Sequence, residues 1–159
     1  MLASPWAAIV EGLAAAVALR ASGRSGLPAA LAAPSALVVG NMLKKWIARP
    51  RPGLTRFTRK GRESFPSTHV AGPVAVLTTA WCLAPRTTGW RAALALGTGV
   101  AFVAARERVC AGEHWASDVV AGAALGAAIG AALGRFAMAP SGESTCRAVA
   151  DGSLQEAAP

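Results

Sequence analysis

The chain has 159 residues, 53% of them hydrophobic and only 15% charged, with a net charge of +8. An ordinary soluble domain carries roughly 25% charged residues, so this balance, with a mean hydropathy of +0.42, fits a surface that meets lipid rather than water. The basic residues lie in short segments between apolar runs, a pattern of flanking charges and an anion site that argues against nucleic acid as a partner.

Five apolar stretches follow in chain order. The first runs from about Trp6 to Leu19 and carries Glu11. It lacks the basic leading segment of a signal peptide, which leaves a membrane or interfacial helix. The second runs from Leu27 to Leu43, with Pro28 and Pro34 inside it, and ends at Lys44 and Lys45. The third covers Val70 to Ala84, the fourth Trp90 to Ala105 and the fifth Val119 to Ala139. A spanning helix needs about 20 apolar residues. The fifth stretch reaches that length comfortably and the second only marginally; the others need their flanks. Together they predict an all-α integral membrane bundle of five helices, or six, with buried helices of a soluble bundle as the competing reading.

The fifth stretch holds Gly122, Gly126, Gly130 and Gly134, one smooth stripe on a helix. Such a stripe offers close packing within the chain or a homo-oligomer contact with a second copy. After Ala139 the sequence turns small, polar and unpatterned. One helical domain over 1–139 and a disordered polar tail over 140–159 are therefore expected. Cys82, Cys110 and Cys146 show neither CxxC spacing nor a Cys/His pairing, so neither a zinc site nor a disulfide framework is implied, and no metal or cofactor is expected.

Three segments hold nearly all the reactive side chains. In "KKWIARPRP", Lys44 closes an apolar stretch, and Pro50 and Pro52 bias Arg49 and Arg51 towards extended backbone. In "FPSTH", Pro66-Ser67-Thr68 reads as a helix start, with Ser67 or Thr68 as N-cap and free N–H groups able to bind a phosphate. In "RVCAGEHWASD", His114 and Asp118 are four apart, as on one helical turn, where a carboxylate sets an imidazole's tautomer. The two histidines of the chain, His69 and His114, thus both lie beside basic residues at the ends of apolar helices. One neutral and one protonated imidazole make a nucleophile and an acid. Lys44, Arg51 and Arg108 supply fixed positive charge for phosphoryl oxygens. With five spans, all three segments share one membrane face. That face carries the more basic residues, but the excess shrinks to near balance once Lys44, Arg51 and Arg108 are assigned to chemistry, so the positive-inside rule leaves orientation open.

The pattern Lys44-x6-Arg51-Pro52, Pro66-Ser67-Thr68-His69 and Arg108-x5-His114-x3-Asp118 resembles the signature of the type 2 phosphatidic acid phosphatase family, written KxxxxxxRP, PSGH and SRxxxxxHxxxD. Thr68 stands where glycine is usual, with a side chain that would narrow the pocket, and Glu107 where serine is usual. The resemblance implies a metal-free hydrolase acting on a lipid phosphate in the cell membrane: a polyprenyl phosphate or pyrophosphate, a polyprenyl phosphoryl sugar, or phosphatidic acid. It implies His114 as nucleophile forming a phosphohistidine, Asp118 as its orienting partner and His69 as the acid. Lys44, Arg51, Ser67, Thr68 and Arg108 would hold the phosphate. Two other readings compete: vanadate-dependent haloperoxidase, which shares the phosphate signature, and a non-catalytic anionic-lipid-binding protein with a decayed site.

Overall fold

The computed structural model describes residues 5–52 and 63–139. The expected polar tail lies outside them, as do Cys146, Arg147 and the basic residues Arg56, Arg59, Lys60 and Arg62. Each of the five apolar stretches forms one helix: α1 Pro5–Ala21, α2 Leu27–Ile47, α3 Thr68–Leu83, α4 Thr88–Cys110 and α5 Ala116–Met138. Among the described residues there is no strand, only an isolated bridge between Pro50 and Glu63. The architecture is the expected all-α bundle.

Local chemistry sets the helix ends. Proline occupies the first turns of α1 and α2, where its missing N–H removes no helical bond. Helix α2 runs past the expected Leu43 because nothing breaks it until Ala48, a left-handed C-cap (φ 48°) whose N–H donates to the Lys44 carbonyl at 2.9 Å. Lys44 is therefore part of the helix. Helix α3 ends at Leu83, with Ala84 as its extended C-cap before Pro85. The Thr87 hydroxyl caps α4 by accepting from the Trp90 N–H.

Helices α2, α4 and α5 are long and apolar enough to cross a membrane. Helix α3 is apolar but has only 16 residues, about 24 Å at 1.5 Å per residue, against a hydrocarbon core of about 30 Å. By length and composition, three of the five helices qualify as spans. Large apolar side chains face outward, among them Phe136 at 81% exposure and Phe102 at 71%. An outer surface of this kind belongs in lipid and disfavours the soluble-bundle reading.

The short α3 is the centre, packing against all four other helices. The core it anchors is built from small residues, with Ala8, Ala32, Ala33, Ala36, Ala71 and Ala75 fully or nearly fully buried. Small side chains let backbones approach closely, which is how helices associate when lipid removes the hydrophobic drive. The most extensive pair is α3 with α5. Asp118, Gly122, Gly126, Gly130 and Gly134 form one buried row on α5. A Cβ at Gly122, Gly126 or Gly130 would sit 2.4–2.5 Å from the carbonyl oxygen of Ser67, Ala71 or Ala75. The stripe is filled within the chain by α3, so its face is not free for the second copy considered from sequence. Thr79 stitches the same seam, its hydroxyl lying within hydrogen-bond distance of the Ala75 carbonyl at 2.8 Å and the Gly130 carbonyl at 3.3 Å.

Gly122→Ala is expected to cost about 1–3 kcal/mol by overpacking against backbone that cannot yield. Gly99→Ala, where an added Cβ meets nothing within 4 Å, is expected to be neutral or slightly stabilising. Thermal unfolding of the two variants in one detergent checks the contrast.

Candidate functional site

The three reactive segments converge at one end of the bundle, each placed by a local device. At the end of α4, Ala111 is the C-cap and Gly112 takes a left-handed conformation (φ 68°). That turn folds the chain back so that the N–H groups of Glu113 and His114 both donate to the Arg108 carbonyl, at 3.1 and 3.2 Å. The Arg108-to-His114 spacing is therefore one helix C-cap. Four residues on, the Asp118 carboxylate (Oδ2) accepts from the Trp115 N–H at 2.8 Å, the acidic half of a capping box at the start of α5. The Asp118 carbonyl accepts from the Ser67 N–H at 3.0 Å, tying the head of α5 to the head of α3.

The rings of His69 and His114 meet edge to face, centroids 6.0 Å apart. His114 is 1% exposed. Its Nδ1 lies 3.7 Å from Asp118 Oδ2, beyond hydrogen-bond reach. The expectation that the two share a helical face is corrected here, because His114 precedes α5 and sits on the turn before its N-cap. The fully buried Asp118 finds its partner elsewhere: Arg49 Nη1 donates to Oδ1 at 2.9 Å and also lies 2.7 Å from Ser117 Oγ. Arg49 lies over the Trp115 ring at 5.2 Å, and the Trp115 indole N–H donates to the Pro50 carbonyl. Arg49 is the residue that sequence reasoning missed. Its available signal was the run of two X-Pro steps, which extends the chain and lets alternate side chains point to different partners.

The other expected residues fall into place around the histidines. Lys44 and Arg51 are partly buried, and Lys44 Nζ is 3.4 Å from the Glu63 carbonyl. Arg108 is paired with Glu113, Nη1 to Oε2 2.5 Å, and this hydrogen bond holds the Glu113 carboxyl below its ordinary range. Glu107, the residue that departs from the family pattern, is exposed. Ser67 does occupy the N-cap of α3, but its buried hydroxyl makes no cap bond. Thr68 is buried with its methyl against α2: a Cβ on Gly40 would lie 2.6 Å from it. The expected narrowing of the pocket by Thr68 is thus taken up by a glycine notch one turn before Lys44.

Among the described residues, the buried side-chain nitrogen and oxygen atoms without a hydrogen-bond partner are Arg51 Nε, Ser67 Oγ, His69 Nδ1 and both ring nitrogens of His114. Folded proteins satisfy the large majority of such atoms. Here the exceptions coincide with the residues singled out from sequence, in a setting rich in cations. Burial, then the Lys44 and Arg51 charges, push the His114 pKa below its ordinary value, against weaker opposing pulls from the nearby Ser64 backbone and then Asp118. His114 is therefore a neutral imidazole near pH 7, the form that attacks an electrophile.

A family model described as the PAP2 superfamily matches residues 25–140. The chain belongs to the PAP2 superfamily. Searches of curated proteins and of solved structures return no match. Membership supports a phosphatase-type activity on phosphate esters, and the three spanning-length helices mark this PAP2 protein as a membrane protein.

Two outcomes test the site. Arg49→Ala leaves the buried Asp118 carboxylate with the Trp115 N–H as its remaining hydrogen-bond donor among the described residues. The expected loss is about 2 kcal/mol of stability, less than for a fully buried pair because Arg49 is 34% exposed; denaturant unfolding in detergent measures it. If catalysis needs neutral His114, the acid limb of kcat/KM reports the free protein and must fall below the ordinary histidine value of about 6.5. A pH–rate profile with its acid limb at or above that value contradicts the site electrostatics.

Proposed function

We propose that the protein is a lipid phosphatase of the cell membrane, hydrolysing a phosphomonoester or pyrophosphate through a phosphohistidine, without a metal cofactor. The observation that carries this reading is the set of buried, unpartnered polar atoms gathered around the two histidines. A phosphoryl group offers acceptors to Ser67, Arg51 and the N–H groups at the head of α3, which also presents its positive dipole end. Its negative charge offsets the repulsion among Lys44, Arg51 and Arg108.

The chemistry proceeds in two displacements. His114 Nε2, the nitrogen remote from Asp118, attacks phosphorus; the N–P bond forms as the ester P–O bond breaks. Burial and the Arg108 charge hold the His69 pKa down to about 4 in the free protein, so His69 takes up a proton as the phosphate dianion binds, then gives it to the departing oxygen, and an alcohol leaves. A water then attacks phosphorus and passes a proton to His69. The N–P bond breaks, its electron pair returns to His114, and inorganic phosphate leaves. Asp118 steadies the positive charge on His114 during the first step, its own position held by Arg49 and Trp115. Transferred charge spreads over the non-bridging oxygens, where fixed cations stabilise it with little reorganisation. The outward-facing apolar side chains support a substrate delivered from the bilayer.

The test is phosphate release by purified protein with EDTA present, across polyprenyl phosphates, polyprenyl phosphoryl sugars and phosphatidic acid. Release is expected to survive EDTA, to be inhibited by vanadate, and to fall by at least a thousandfold in His114→Ala, given the rate losses typical of a removed nucleophile. Turnover retained in His114→Ala removes the nucleophile assignment. Turnover abolished by EDTA and restored by a divalent ion removes the metal-free mechanism.

A further inference from the structure

Glu113 is the charged side chain beside the histidines that the two displacements leave unused. It precedes His114 on the turn made by the left-handed Gly112. Its N–H donates to the Arg108 carbonyl at 3.1 Å. Its carboxylate returns to the same residue, Oε2 accepting from Arg108 Nη1 at 2.5 Å. Backbone and side chain therefore both fasten Glu113 to Arg108. Among the described residues, the carboxylate that pairs with a cation assigned to the phosphate is that of Glu113.

The carboxylate also lies within the field of the cradle. The hydrogen bond from Arg108 comes first in holding the Glu113 carboxyl down, and the nearby Arg108 and Arg51 charges add to it against burial. Around His69 the relation is reversed. Burial and the Arg108, His114 and Lys44 charges oppose a proton there, and Glu113 favours one. Asp118 is engaged by Arg49 on the His114 side, so Glu113 is the second acid of the site, on the side of Arg108 and His69.

Carboxylate and phosphoryl oxygens are both anionic acceptors, and both suit the guanidinium fork. A phosphate that reaches Arg108 must share its donors with Glu113 or displace it, and it meets the carboxylate charge while doing so. The Glu113 side chain is 38% exposed, so a displaced carboxylate has water to turn to. The cost falls on any bound anion alike. An ester has contacts beyond its headgroup to offset that cost, and inorganic phosphate has none.

We propose that Glu113 is a built-in competitor for the anion site: its carboxylate holds Arg108 when the site is empty, yields as a phosphoryl group binds, and returns to help expel inorganic phosphate. The part played in product release rests on the phosphatase reading; the competition for Arg108 does not.

The test is a titration of inorganic phosphate into the detergent-solubilised protein, followed by phosphorus NMR. Glu113→Gln keeps the shape of the side chain and an oxygen able to accept from Arg108 while removing the charge. It is expected to bind phosphate about tenfold more tightly, between the weak coupling of two charges in bulk water and their strong coupling near a protein surface. Glu113→Ala, which removes the acceptor as well, should shift binding in the same direction. Glu107→Gln removes the same charge from the exposed residue before Arg108 and should change binding less than about twofold, as solvent and salt screen an exposed charge. Phosphate binding that is unchanged or weaker in either Glu113 variant shows a residue that positions Arg108 for the anion, and overturns the proposal. Equal tightening in Glu107→Gln reduces the effect to net charge and overturns it too, as does the absence of binding in all the proteins. Tighter binding in Glu113→Gln, in a protein that releases phosphate from no ester, sinks the phosphatase reading and leaves the competitor standing. Release by the wild type with phosphate binding unmoved by Glu113→Gln sinks the competitor alone.

Discussion

Backbone-to-backbone contact between α3 and α5 is the constraint on which the remaining structure depends. The glycine row of α5 brings its axis so close that carbonyl oxygens of α3 occupy the space a side chain would need. Asp118 heads that same row. The packing therefore delivers two things at once: a dry interface without large side chains, and an acid held beside the N-terminus of α3 through the Ser67 N–H. In a bilayer, where burying apolar surface gains little, such close van der Waals contact must carry much of the association. The reactive end of the bundle is thus the end of its tightest seam.

Around that seam the protein keeps an electrostatic imbalance. Asp118 is neutralised by Arg49 and by the Trp115 N–H, and Glu113 by Arg108. Lys44 and Arg51 stand close enough to the histidines to depress protonation of His114. Crowded cations and unpartnered buried donors oppose folding, and together they favour an anion that satisfies both. The tension also separates the roles of neighbouring groups. In the proposed mechanism a neutral His114 attacks, while Asp118, 3.7 Å away, is near enough to stabilise the cation that attack creates.

The bundle is lopsided. Helix α4 is the most peripheral, burying only Leu94 and Ala105, although its last turn supplies Arg108 and its C-cap positions His114. A helix that is anchored at its site end and stands away from α1 along its length leaves a cleft over α3 without loosening the phosphate end. The glycine notch at Gly40 shows the same economy on the opposite side. It takes up the Thr68 methyl, so a residue at odds with the usual pattern need not crowd the site.

The sequence by itself determined the five helices, because apolar runs, prolines and caps act over a few residues. It also singled out the candidate side chains that the fold gathers at one end of the bundle, because two histidines and their basic neighbours are sparse in an apolar chain. Tertiary structure alone decided the partners. Arg49, and not His114, is the side chain that bonds Asp118, because the turn at Gly112 places His114 before the helix and not on its face. The glycine stripe faces α3 and not a second copy, because α3 is the helix whose small residues fit it. Periodicity marks the face that a helix will bury; only the packed backbone, with all distances satisfied together, says what is buried against it.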